Sequence, residues 1–152
     1  MQKLNAIEES QYKVDFEILK GYLEFSSELL RLSLLAMGGF GALVLIKLKG
    51  ETKQSFPAFL QHPELFLISM ALFAACAAAT LFHRYFASDS MSWYIAWLRA
   101  EAAEKKEKAE KERKGFYKML KCSEWSLILS EIFFGSAVLF FIVAVFQLFA
   151  KQ

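Results

Sequence analysis

Charge is distributed unevenly along this chain. Residues 32–46, 65–82 and 132–150 carry no charged side chain, whereas the segments between them are crowded with Lys, Arg and Glu. A helix rises about 1.5 Å per residue, so crossing roughly 30 Å of hydrocarbon takes about 20 apolar residues. The third run meets that length. The second meets it with its flanks, since Pro63 suits the first turn of a helix. The first reaches it when Leu29 and Leu30 join and Arg31 and Lys47 extend their charged ends outward. The pattern predicts an all-α integral membrane protein with three transmembrane helices at 29–48, 64–86 and 125–150, joined by a short external loop at 49–63.

Two further helices are expected outside the spans. Leu4, Ile7, Val14, Ile18, Phe25 and Leu29 recur at a spacing near 3.5, and Tyr12, Phe16, Leu19 and Leu23 form a second stripe. Residues 1–30 therefore read as an amphipathic helix, cytoplasmic or interfacial, interrupted by nothing stronger than Gly21. Residues 88–124 read as a cytoplasmic charged helix and turn. Ser88, Asp89 and Ser90 offer caps for its start, and Gly115 marks the turn back. Eleven of the fourteen residues 101–114 are charged. Glu101–Lys105, Glu104–Lys108, Glu107–Lys111 and Glu110–Lys114 all have the favourable i,i+4 order. A single helix over 91–114 would measure about 36 Å, and residues 115–124 could barely return that distance. Such a helix must tilt along the surface or break midway, and neither Gly nor Pro marks a break.

Orientation follows from the cations. Lys3, Lys13, Lys20 and Arg31, with the ten Lys and Arg between the second and third runs, face four on the other side: Lys47, Lys49, Lys53 and Lys151. The excess places the N-terminus and the long loop in the cytoplasm and the C-terminus outside. The acidic, charged N-terminal residues do not read as a cleaved signal peptide. The small size and the lack of targeting signals make a bacterial inner membrane the expected location.

Composition agrees with this reading. The chain has 152 residues, 56% of them hydrophobic, with 16 Phe and a net charge of only +2. No global field points to nucleic acid. The expected partners are membrane lipid, other copies of the chain and a cytosolic protein. Cys76 lies inside an apolar run and Cys122 beside Lys121, so the two are not expected to bridge.

Chemistry is sparse. No Gly-rich phosphate loop, metal-ligand spacing or catalytic constellation is present, so a non-enzymatic protein without cofactors is expected. Glu131 stands out, because a lone carboxylate in an apolar run needs a partner or an edge. Counting inward from Lys151 puts it near the cytoplasmic rim, on a level with Arg84, His83 and Arg31. It can be a water-bathed rim carboxylate, the partner of Arg84 within or between chains, or one of a ring lining a pore. Gly38 and Ala42, and Ala71, Ala75 and Ala79, give close-packing faces to the first two spans. Trp93, Trp97 and Trp125 suit the aromatic belt of a membrane interface.

In layout, residues 14–114 resemble the small bacterial multi-span membrane effectors of defence and nucleotide-signalling systems, including the SLATT type. Those pair a membrane helical hairpin with cytosolic helices; the third run here is additional to that plan. The resemblance implies membrane disruption or ion flux triggered from the cytosol. The expected function is a homo-oligomeric, pore- or channel-like effector controlled by its cytoplasmic helices. The alternative is a membrane anchor or accessory subunit that recruits a cytosolic partner.

Overall fold

The structure is a computed structural model that describes residues 12–49 and 63–149, with side chains described over 12–42 and 64–146. Three helices account for nearly all of it: α1 (Lys13–Lys49), α2 (Pro63–Ala102) and α3 (Lys106–Phe149). There is no strand among the described residues. Residues 1–11 and 50–62, including the start of the expected amphipathic helix and most of the 49–63 loop with His62, lie outside the described residues. Two of the helices, α2 and α3, are long and apolar enough to cross a membrane. The first apolar run is helical as part of α1, which passes Gly21 without a break.

The helices divide into two compact units, Met1–Ser27 with Leu81–Leu127, and Glu28–Thr80 with Ile128–Gln152. In the second, Phe40 of α1, Phe66 and Phe73 of α2 and Ala137 of α3 are buried together, with Met37, Phe134 and Phe141 packed around them. Phe40 meets Phe66 edge-on at 4.8 Å between ring centroids, and Phe73 meets Phe134 at 5.8 Å. Edge-to-face geometry suits the ring quadrupoles and adds to the area buried. Ser69 Oγ donates to the Ala137 carbonyl at 2.9 Å and Ser33 Oγ to Cys76 Sγ at 3.2 Å.

Buried positions on α2 follow an alternating 3–4 spacing: Phe66, Ser69, Phe73, Cys76, Thr80, His83, Ala87, Ser90, Tyr94. Ser123, Ser130, Ala137 and Ala144 of α3 repeat every seventh residue, and Ser26, Ser33 and Phe40 of α1 do the same. This is the periodicity of left-handed helix packing. Most of these side chains are small, which lets backbones approach closely, and several carry hydroxyls that bond locally. Thr80 Oγ1, for example, donates to the Cys76 carbonyl at 2.6 Å.

Many of the large apolar side chains outside the Phe40–Phe66–Phe73 cluster point the other way. Leu34, Leu35, Leu67, Leu81, Ile132, Leu139 and Phe146 are all exposed. So are Val14, Ile18 and Phe25 of the first N-terminal stripe, whereas Leu29 at its end is buried. The second stripe, Tyr12, Phe16, Leu19 and Leu23, is half-buried and leads to buried Ser26.

The organisation of residues 88–124 differs from expectation. Residues 88–102 continue α2, residues 103–105 form a turn, and 106–124 belong to α3. Ser88, Asp89 and Ser90 cap nothing. Ser90 Oγ instead bonds the Ala87 carbonyl at 2.8 Å, the back-bonding that lets serine stay inside a helix. Gly115 is helical and makes no turn. The reversal is at Glu104, whose φ of 54° is left-handed. Lys105 N donates to Ala100 O at 3.0 Å and Glu104 N to Glu101 O at 2.9 Å, the paired bonds of a Schellman motif with glutamate where glycine is usual. The break removes the helical register that the Glu101–Lys105 and Glu104–Lys108 pairs need. It also solves the problem of reach, since α3 returns as a helix from Lys106.

Candidate functional site

Beyond residue 81, α2 and the first half of α3 form an antiparallel hairpin with its turn at Glu104. Trp93 and Gly115 each lie eleven residues from that turn. A Cβ added to Gly115 would stand 2.7 Å from Trp93 Cδ2 and 2.8 Å from Cζ3, closer than side chains tolerate. Trp93 Nε1 donates to Asp89 Oδ2 at 3.2 Å, which fixes the ring. Tyr94, Trp97, Phe116 and Tyr117 continue the contact as a chain of rings 5.2–6.2 Å apart. Trp93 and Trp97 are therefore half-buried in the hairpin, whereas Trp125 is 58% exposed and has the access that an interface anchor needs.

Polar contacts join the hairpin to the start of α1 and its two arms to each other. Tyr94 donates its phenol proton to Asp15 Oδ2. Burial, then that hydrogen bond and then the Asp15 charge push the Tyr94 phenol up to about 12. Arg84 Nη1 donates to Ser27 Oγ at 2.6 Å. His83 is 2% exposed, with Nδ1 3.0 Å from the Ser123 carbonyl and 2.9 Å from Ser123 Oγ. Its Nε2 is buried and has no hydrogen-bond partner among the described residues.

An open groove of about 660 Å³ lies at the hairpin turn, lined by Trp97, Glu101, Glu104, Lys105, Lys106 and Arg113 among others. Beside it Lys114 Nζ pairs with Glu110 at 2.8 Å, and this hydrogen bond and charge hold the Glu110 carboxyl below the usual range.

The other expected site residues lie in the unit of Glu28–Thr80 and Ile128–Gln152. Glu131 is exposed, flanked along α3 by exposed Ile128, Leu129 and Ile132. The ion pairs among the described residues are local, Lys20–Glu24, Glu28–Arg31 and Glu110–Lys114, and Glu131 belongs to none of them. Arg31 reaches Glu28 at 3.9 Å with both side chains largely exposed. Gly38, Ala42 and Ala71 are exposed, Ala75 is half-buried and Ala79 is buried. A Cβ at Gly38, Gly39 or Gly135 would meet nothing within 4 Å.

Sequence reasoning missed Asp15, Ser27 and Ser123, and it read Tyr94 as part of an aromatic belt and Glu104 as one member of a helical ion pair. The one signal was for Tyr94, the 3–4 spacing of buried positions along α2, which continues past the end of the second apolar run. Among the described residues no group of three or more His, Cys, Asp or Glu is placed to hold a metal ion. Compared with protein-family models, curated proteins and solved structures, the chain finds no match.

Proposed function

We propose that this chain is a non-enzymatic, three-span membrane protein whose copies assemble through their spans into a pore-like, ion-conducting effector, controlled by the helices outside the bilayer. The observation that carries the reading is the inverted surface. Apart from a small cluster around Phe40, Phe66 and Phe73, the buried positions are mostly Ser, Thr, Ala and Cys, while Leu34, Leu35, Leu67, Leu81, Ile132, Leu139 and Phe146 face outward. Water would penalise that arrangement, whereas hydrocarbon is as apolar as leucine and leaves close packing to decide what goes inside. Residues 29–48 supply the third span, with the N-terminus and the hairpin turn cytoplasmic and the C-terminus external, in an inner membrane of bacterial type.

Assembly is supported by Glu131. An exposed carboxylate among exposed apolar residues is costly against lipid and favourable against water or a cation contributed by a neighbouring copy. The open surface at Gly38, Gly39 and Gly135 lets a second helix approach closely. In this reading Glu131 meets either the same residue of other copies around water or an arginine of a neighbour. The layout it resembles, that of defence effectors, fits membrane disruption on a cytosolic signal.

The test is the mass of the purified protein in detergent together with ion flux from liposomes. The reading expects an oligomer, salt-driven flux, and altered flux for Glu131→Gln at unchanged oligomer mass. A monomer that leaves liposomes sealed would remove it. A second reading, an anchor for a cytosolic protein, is favoured by the open charged groove at the hairpin turn. That reading expects sealed liposomes and loss of the partner when residues 101–114 are scrambled.

A further inference from the structure

Of the buried polar groups, His83 Nε2 alone is left without a hydrogen-bond partner among the described residues. The ring is held from one side only. A backbone carbonyl accepts but cannot donate, so the Ser123 carbonyl 3.0 Å away takes Nδ1–H. Ser123 Oγ, 2.9 Å from Nδ1, donates back toward the His83 carbonyl at 3.5 Å. In this tautomer Nε2 carries a bare lone pair, facing neither solvent nor a donor.

We propose that His83 is a proton-operated release between the two arms of the hairpin. A proton taken from solvent would bind the Nε2 lone pair and give an imidazolium with two N–H donors. The site supplies one acceptor, the Ser123 carbonyl. The second donor is buried with no acceptor, and an unpaired buried donor on a charged group is among the most costly polar defects. The arms must part locally to bring it to water.

Among the described residues no charged side chain is hydrogen-bonded or ion-paired to the ring. On α2, Arg84 is exposed and bonded to Ser27. On α1, Glu24 is exposed and paired with Lys20. On α3, Lys121 and Glu124 are exposed and Cys122 is half-buried. In water histidine is the side chain whose charge changes between pH 5 and 8, so acidification through that range favours the release, in which the ring is wet. It does not depend on whether copies form a pore.

The experiment is hydrogen exchange on the full-length protein in detergent at pH 7.5 and 5.5, corrected for intrinsic rates. It compares wild type with His83→Asn, whose side-chain amide keeps a donor near the Nδ1 position but does not titrate. Residues 81–100 and 106–127 of wild type are expected to exchange about tenfold faster at pH 5.5, and those of the variant equally at both values. Unchanged wild-type exchange would overturn the proposal. So would a variant that keeps the acid response, since His62 and the carboxylates would then be responsible. If the variant loses its helical circular dichroism, histidine ¹⁵N resonances of wild type decide. The buried ring should be in the Nδ1–H form at pH 7.5, and a ring in the Nε2–H form there overturns the proposal.

Discussion

Gly115 lies directly against the six-membered ring of Trp93, with no room for even one more carbon between them. Trp93 cannot easily yield, because its Nε1 is tied to Asp89. Ala in place of a helical glycine ordinarily stabilises by about 0.5–1 kcal/mol. Here overpacking, typically about 1–3 kcal/mol, opposes that gain. Gly115→Ala is expected to lower stability by about 1 kcal/mol, measured by denaturant unfolding in detergent. Gly21→Ala, where an added Cβ meets nothing within 4 Å, should raise it.

Glu104 holds the left-handed position of the hairpin turn at a φ of 54°. A non-glycine residue there costs roughly 1 kcal/mol relative to glycine. Glu104→Gly is therefore expected to raise the unfolding midpoint, with a gain of about 1 kcal/mol. A fall would mean that the Glu104 side chain contributes more than its backbone strain removes.

The Tyr94–Asp15 bond gives the hairpin an alkaline limit. Only the neutral phenol donates, and its folded value of about 12 exceeds the ordinary value near 10. The stabilisation is therefore complete below about pH 10 and disappears as the pH rises through 12. Ultraviolet titration of the five tyrosines should show one that ionises late. That step should vanish in Tyr94→Phe and move toward the ordinary range in Asp15→Asn.

Phe73 is buried between Phe40 and Phe134, whereas Phe146 is 70% exposed. Phe73→Ala is expected to cost about 3–5 kcal/mol of stability, the usual range for a buried ring. Phe146→Ala should cost under 1 kcal/mol in detergent. Equal effects would contradict the assignment of core and surface.

Much of the fold could be read from the chain because three uncharged runs separated by charged ones leave few arrangements. The all-helical architecture and the uninterrupted passage of α1 through Gly21 followed from that pattern. The hairpin turn could not be read, because a Schellman turn without glycine leaves no compositional trace: Glu104 looked like one more residue of a charged helix. Ser88–Ser90 looked like a cap because serine and aspartate favour caps, yet Ser90 Oγ bonds the Ala87 carbonyl and Asp89 accepts from Trp93 inside α2. Val14 and Ile18 belong to the more apolar-looking stripe of the N-terminal helix, yet they are exposed and the second stripe is the half-buried one. Tyr94 and Asp15 are 79 residues apart and share no local pattern, so only the fold joins them.

The central claim is that the outward Leu, Ile and Phe side chains face lipid, with the chain crossing an odd number of times. Single cysteines at positions 108 and 152, in a chain carrying Cys76→Ser and Cys122→Ser, can be exposed to an impermeant thiol reagent in intact cells. The account expects Gln152→Cys to react at once and Lys108→Cys to react only after the membrane is opened. Reaction of position 108 from outside, or protection of position 152 in intact cells, would contradict it.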